Sequence, residues 1–146
     1  MQRRRRDQTQ PVSAYRFMVE LDGLLVAGFS EVSGLVVETQ VEEYREGGLN
    51  QFTHRLPAQT VHVPLILKRG MTKSNELWNW YAAVTEGRIE RKSGSIILFD
   101  EFDQEYRRWN FYDGYPVKWS GPELQAMMSE VAVEYVELVH NGFKMM

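Results

Sequence analysis

Carboxylates are the residues of this chain whose spacing first suggests chemistry. Glu42 stands beside Glu43, Asp100 beside Glu101, and Asp103 close to Glu105. Two acids flanking an aromatic-lined cleft are the equipment of glycoside hydrolysis, and Trp109, Phe111, Tyr112, Tyr115 and Trp119 could line such a cleft. Adjacent residues on a strand point to opposite faces, so Glu42 and Glu43 cannot converge on one sugar. Asp100 to Glu105 reads as a hairpin tip with solvated charges. His54, His62 and His140 have no partner at metal-ligand spacing. Ser93-Gly94-Ser95 lacks a neighbouring base and reads as a turn, and no phosphate-cradling loop or nucleophile elbow occurs. With no cysteine, thiolate ligands and disulfides are excluded. The residues predict no catalytic centre, no cofactor and no metal.

The positioning framework is one domain of ordinary size. The 146 residues can bury a single core, and 43% hydrophobic with 25% charged content is a globular composition. No apolar run approaches the roughly 18 residues of a membrane span. The start, "MQRRRRDQTQPVSA", is basic and lacks the apolar segment of a secretory signal. Arg3, Arg4, Arg5 and Arg6 supply four positive charges to a total of −3, so the rest carries −7. An acidic body with a short basic arm is a poor duplex nucleic-acid binder. Residues 1–14 are expected as a flexible basic arm, and residues 15–146 as the folded domain.

Alternation of period two dominates that domain. In "YRFMVELDG", Tyr15, Phe17, Val19 and Leu21 share a face, and Asp22-Gly23 signals a hairpin into a short strand at Leu24 to Ala27. Gly28 to Gly34 reads as a connection. From Leu35, the residues Leu35, Val37, Thr39 and Val41 share one face, with Val36, Glu38, Gln40 and Glu42 on the other. Such a strand has one face for a core and one for water. Gly47-Gly48 ends it, and "LNQFTHRLPAQT" is predicted as loop, interrupted by Pro57. "TVHVPLILKRG" reads as a strand with Val61, Val63, Leu65 and Leu67 inward, and Thr60, His62 and Lys68 outward; Pro64 marks an edge or bulge.

One helix is predicted, over "TKSNELWNWYAAVTEG", capped by Thr72 or Ser74 and stopped by Gly87. Its apolar stripe, Leu77, Tyr81 and Val84 widened by Trp78 and Trp80, is suited to packing on a sheet. Strand patterns follow in "SGSIILFDEFD", "QEYRRWNFYDGYPVKWS" and "SEVAVEYVELVHNGF", where Val131, Val133 and Tyr135 oppose Glu130, Ala132 and Glu134. "SGPELQAMM" is a loop with an apolar patch at Met127 and Met128. The expected fold is mainly β, an antiparallel barrel or sandwich with one flanking α-helix.

Several motifs resemble the tail tube proteins of contractile phages and phage-tail-like injection particles. They are a Phe-x-Val strand at Phe17 to Val19, an "F-x-E-V-S-G-L" turn at Phe29 to Leu35, and "E-Y-R-E-G-G" at Glu43 to Gly48. "LILKRGMTKSNELWNWY" matches a strand, Lys-Arg-Gly turn and helix of that family, while "RRWNFYDGYPVKWSGPELQA" matches a Trp-x-Phe strand and loop. The resemblance spans about Tyr15 to Gly142 and extends to the tube protein of type VI secretion. It implies a structural subunit without cofactor or catalysis, whose hexameric rings stack into a hollow tube within a contractile sheath. The implied partners are further copies of the chain, the sheath protein, baseplate or tube-initiator and cap proteins, and cargo or DNA passing through the lumen. No membrane is implied in the resting state, and assembly belongs to the bacterial cytoplasm, with the product a phage tail or an extracellular phage-tail-like particle.

Within that frame Glu38, Gln40 and Glu42 are expected to face the lumen, where a negative lining repels nucleic acid and acidic cargo. The expected docking loop to the next protomer or ring runs from Arg45 to Gln59. It includes Glu46, Gly47, Gly48, Leu49, Asn50, Gln51, Phe52, His54 and Arg55. Two other readings stay open on the sequence: a tube-initiator or baseplate paralogue of the same fold, and a small β-barrel carbohydrate-binding or enzymatic domain.

Overall fold

The structure, a computed structural model, describes residues 11–14, 16–22, 24–26, 28–45 and 53–146. Arg3 to Arg6 of the basic arm lie outside the described residues. The chain runs β1 (Phe17–Leu21), β2 (Leu24–Val26), β3 (Phe29–Ser33), β4 (Val37–Arg45), β5 (Thr53–His62), β6 (Leu65–Gly70), α1 (Glu76–Thr85), β7 (Lys92–Phe99), β8 (Glu105–Ser120), β9 (Val133–Val139) and β10 (Phe143–Met145). The fold is mainly β with one helix, as the alternation predicts. Among the described residues no helix is long and apolar enough to cross a membrane.

The expected hairpin between β1 and β2 forms, with Leu21 opposite Leu24 and Asp22 at φ 50°. The main sheet is antiparallel in the order β2-β1-β7-β8-β9-β6-β3, and β10 also lies along β8. β8, at 16 residues, holds it together by pairing β7 through its first part and β9 through its second. The register slips beside Asp113, whose φ is 54°, and again between Pro116 and Lys118. An extra residue in one strand bends it and increases its twist, so the sheet doubles over. Val19 and Leu21 of β1 thereby share one buried cluster with Leu65 and Leu67 of β6, Phe111 of β8, and Val136 and Leu138 of β9.

Helix α1 closes this core with Leu77 and Trp80. Trp80 Nε1 donates to the Glu90 carbonyl (2.8 Å), and Trp78 meets Trp119 edge-on at 4.9 Å. The helix begins later than predicted, with Asn75 at its N-cap and no side-chain cap bond; Thr72 Oγ1 instead accepts from Ser74 N–H. Gly87, at φ 83°, ends it as expected.

Three sequence expectations need correction. Gly28 to Gly34 contains strand β3, because Phe29 to Ser33 pair with β6. "TVHVPLILKRG" is two strands, broken at Val63-Pro64, and only its second half enters the main sheet. Thr53 to Gln59 is strand, with Pro57 accommodated beside a bulge in a ribbon whose outer edges are unpaired among the described residues.

The alternation in β6 and β9 also carries charge inward. Arg69 and Glu134 are cross-strand partners, 4% and 3% exposed, joined by Arg69 Nε to Glu134 Oε1 at 2.9 Å. Trp119 Nε1 donates to the other oxygen of Glu134 (3.0 Å), and Glu76 of α1 lies 3.9 Å from Arg69 Nη1. Strands, helix and β8 therefore meet at one buried ion pair. Removing one member leaves an uncompensated charge, at a cost of about 3–5 kcal/mol. Glu134→Gln is expected to destabilise by that order in urea unfolding, whereas Arg69→Met with Glu134→Leu should lose much less. Equal losses would contradict this account. Gly34 and Gly87 both have positive φ, but only at Gly34 would a Cβ meet an atom, 2.1 Å from the Pro64 carbonyl oxygen. Gly87→Ala should cost about 1–2 kcal/mol, and Gly34→Ala clearly more, by thermal unfolding.

Candidate functional site: an unpartnered β-hairpin

β4 and β5 form a sheet of their own. β4 has nine residues, about 30 Å of strand. Pairing runs from Val37 opposite His62 to Arg45 opposite Thr53, with a slip between Thr39 and Val41. Cross-strand partners share a face. One face thus carries Val37, Thr39, Val41 and Glu43 with Thr60, Pro57 and Arg55; the other carries Glu38, Glu42 and Tyr44 with Val61, Leu56 and His54.

Both faces are open to solvent. Val37 is 52% exposed, Val41 55%, Tyr44 56% and Leu56 54%. The Val37, Thr39 and Val41 face was expected to pack on the core of its own protomer, and it does not. The physical reason is the break at Gly34 and Val63-Pro64, beyond which the ribbon leaves the main sheet. Glu38, Gln40 and Glu42 are exposed on a common face, as alternation requires. That face is not purely acidic, since Glu42 sits opposite Leu56 and Glu38 opposite Val61.

The expected docking loop is largely strand. Arg45 ends β4, and His54 and Arg55 belong to β5. Arg55 Nε lies 4.0 Å from Glu43 Oε1, its cross-strand partner, in an exposed ion pair worth little by itself. Glu46, Gly47, Gly48, Leu49, Asn50, Gln51 and Phe52 lie outside the described residues.

Several residues that suggested chemistry make structural contacts. Asp100 Oδ1 accepts from the N–H groups of Phe102 and Gln104, and so shapes the β7–β8 turn. Asp103 pairs with Arg16, and Glu105 with Arg108 at 2.6 Å. The Glu105 hydrogen bond, partly offset by burial and aided by Glu20, pushes the Arg108 guanidinium above its ordinary value, so it is a permanent cation. Ser93 Oγ accepts from Asp113 N–H, and Ser95 Oγ donates to Asn110 Oδ1. Among the described residues no group of three or more His, Cys, Asp or Glu is placed to hold a metal.

The structure brings together two histidines that sequence spacing kept apart. His62 and His140 meet at 5.5 Å, with Phe143 5.2 Å from His62. Gly142 N–H donates to His140 Nδ1 (3.0 Å), leaving His140 Nε2 to donate to the Val63 carbonyl (3.0 Å). This clamps the point where β5 leaves for the core. No local motif announces it, because His140 follows the far end of β9.

The comparisons with known proteins agree with this geometry. No curated protein matches the chain. The PVC sheath–tube complex of an extracellular contractile injection system, in its extended state, contains a chain 25% identical to this one. The match covers 95% of this chain and 93% of that chain, with a TM-score of 0.86. A chain in the anti-feeding prophage cap, which terminates that tube, is 26% identical, with 96% and 93% covered and a TM-score of 0.87. Hcp1 from Flavobacterium johnsoniae shares the fold at 16% identity, with 88% and 93% covered and a TM-score of 0.56. The family model described as T4-like virus tail tube protein gp19 matches residues 13–144. Together with the doubled sheet and the free hairpin, that match over nearly the whole length shows that the chain belongs to the gp19 tail tube protein family.

Proposed function

We propose that this tail tube protein is the repeating subunit of the tube wall, assembled into hexameric rings that stack into a hollow tube inside a contractile sheath. The observation that carries it is the β4–β5 hairpin, a separate sheet whose apolar residues are exposed on both faces among the described residues. A lone two-stranded hairpin is marginally stable in water. Full burial of a Val, Leu or Tyr-sized side chain contributes about 1.5–3 kcal/mol, so packing Val41, Tyr44 and Leu56 against neighbouring copies would stabilise hairpin and ring together. Side-by-side packing around a ring would also cover the edges that β2 and β3 leave at the ends of the main sheet.

In this assembly the face of Glu38, Gln40 and Glu42 lines the channel, and its negative charge limits adhesion of DNA or acidic cargo. The role is structural, not catalytic. The family match supports it, as do the structural roles of the Asp100 turn, Ser93 and Ser95. The PVC and anti-feeding prophage neighbours occur with a sheath and in a tube-terminating cap. We extend those contacts to this chain, together with a baseplate or initiator to nucleate the tube. Assembly takes place in the bacterial cytoplasm, and the product is part of a phage tail or phage-tail-like particle.

Negative-stain microscopy of the purified protein should show rings or stacked tubes; monomers alone would sink this reading, and tubes only on adding baseplate partners would assign the chain to initiation. Val41→Asp with Leu56→Asp is expected to leave the melting curve near that of the parent while abolishing rings in sedimentation. Deletion of Leu49 to Pro57 should do the same. A map of the assembled tube should place Glu38 and Glu42 at the channel, and their appearance on the sheath side would refute the lining.

A further inference from the structure

β8 spans the molecule, and its two ends differ in chemistry. At its start the β7–β8 turn is acidic, yet its carboxylates are largely satisfied within the chain: Asp100 by backbone N–H groups, Asp103 by Arg16, and Glu105 by Arg108. The described N-terminal residues join the fold here, since the Arg16 carbonyl accepts from Phe99 N–H. At the other end of β8, the connection 121–132 borders an open groove of about 580 Å³ flanked by Glu123, Leu124, Glu130 and Val131. Leu124 is 83% exposed, Met127 97% and Val131 77%. Glu123 accepts only a hydrogen bond from Gln125, and among the described residues neither Glu123 nor Glu130 has an ion-pair partner. From Trp119 to Phe143 the sequence contains no Lys or Arg.

We propose that Arg3 to Arg6 of one copy dock in the groove at 121–132 of the next copy along the stack. The proposal rests on the stacked-tube reading and names a contact between rings. The occupant is indicated by charge and by reach. Arg3 to Arg6 form the chain's longest run of consecutive cations, and the groove offers two carboxylates without cations. Arg3 lies eight residues before Pro11, at most about 29 Å of extended chain, and β8, bent at its bulges, puts the acidic turn and the groove at opposite ends of one strand. A neighbour stacked head to tail brings its groove pole towards the arm's attachment point. Arg stems can lie along Leu124, Met127 and Val131 while the guanidinium groups reach Glu123 and Glu130. The contact is heterologous, so it repeats along an open stack without closing. Each exposed pair contributes under about 1 kcal/mol, but every copy in a ring makes one, and together they act as a multivalent, salt-sensitive clasp.

The chain has no cysteine, so disulfide trapping has no background. Tubes carrying Arg4→Cys together with Met127→Cys, oxidised mildly, should run as a ladder of covalent multimers that neither single variant gives beyond dimers. Arg3, Arg4, Arg5 and Arg6→Gln should at least halve the salt concentration that disperses tubes. Glu123→Gln with Glu130→Gln should match that loss, and combining the two sets should add little. Tubes whose cysteine variants stay uncrosslinked, or close only within one chain, overturn the proposal, as does an unchanged salt midpoint in the glutamine variants. Shielding of Met127→Cys from maleimide only after sheath protein is added would give the groove to a different partner and also overturn it. Absence of rings or tubes from the unaltered protein removes the stacked-tube reading itself.

Discussion

Gly34 lies so close to the carbonyl of Pro64 that no other side chain fits, and the shape of the whole molecule follows from that contact. Ser33 pairs with Ile66 on the core side of it, and Val37 pairs with His62 beyond it. β3–β4 and β5–β6 are therefore one long ribbon pinched at a single place. On the core side, β9 pairs with β6, whose Leu65, Leu67 and Arg69 are buried. Past the pinch no other strand lies alongside among the described residues, and the ribbon stands apart from the main sheet. The His140 ring, bonded to the Val63 carbonyl and to Gly142 N–H, braces the same spot from β9.

The rest of the fold anchors that pinch. Bulges in β8 double the sheet over, which makes a core out of strands far apart in the order. The Arg69–Glu134 pair then fixes β6 against β9 at one end of the ribbon, with Trp119 and Glu76 adding contacts from β8 and α1. A buried pair of this kind contributes little net stability; its value lies in allowing one register between β6 and β9. A one-residue slip of β6 would turn Arg69 outward and Lys68 inward, leaving Glu134 buried without its cation. The arm is thus presented from a rigid base, as a surface that must be completed by other molecules has to be.

How far these features were legible in the sequence depended on whether their causes were local. The hairpin joining β1 to β2 at Asp22 and the helix stop at Gly87 follow from local backbone conformation, and both were readable. The stripe of α1 was readable too, although its start was not, because Thr72 and Ser74 bond to each other's neighbourhood and leave Asn75 to begin the helix. Thr53 to Gln59 read as loop for lack of apolar alternation and for Pro57. That reasoning presumes a strand half buried in its own chain, and β5 is exposed throughout most of its length. Phe29 to Ser33 read as a connection for its serines and flanking glycines, and became strand because β6 offers it a ladder. Alternation separates Glu42 from Glu43 on β4, as expected, but the face that Glu38 and Glu42 share also holds Leu56 and Tyr44, which only cross-strand register reveals.

By itself the sequence determined the type of element nearly everywhere, the absence of thiol chemistry, the acidic body with its basic arm, and the family motifs. Those depend on dihedral preference, composition and period, which act over a few residues. The tertiary structure alone decided which apolar strand is core and which is exposed, that His62 meets His140, and that Arg69 and Glu134 turn inward together. Each of these depends on partners brought together by the bent β8 and on the pinch at Gly34. A valine in β4 and a valine in β9 look alike in sequence; what separates them is whether the chain returns to cover them.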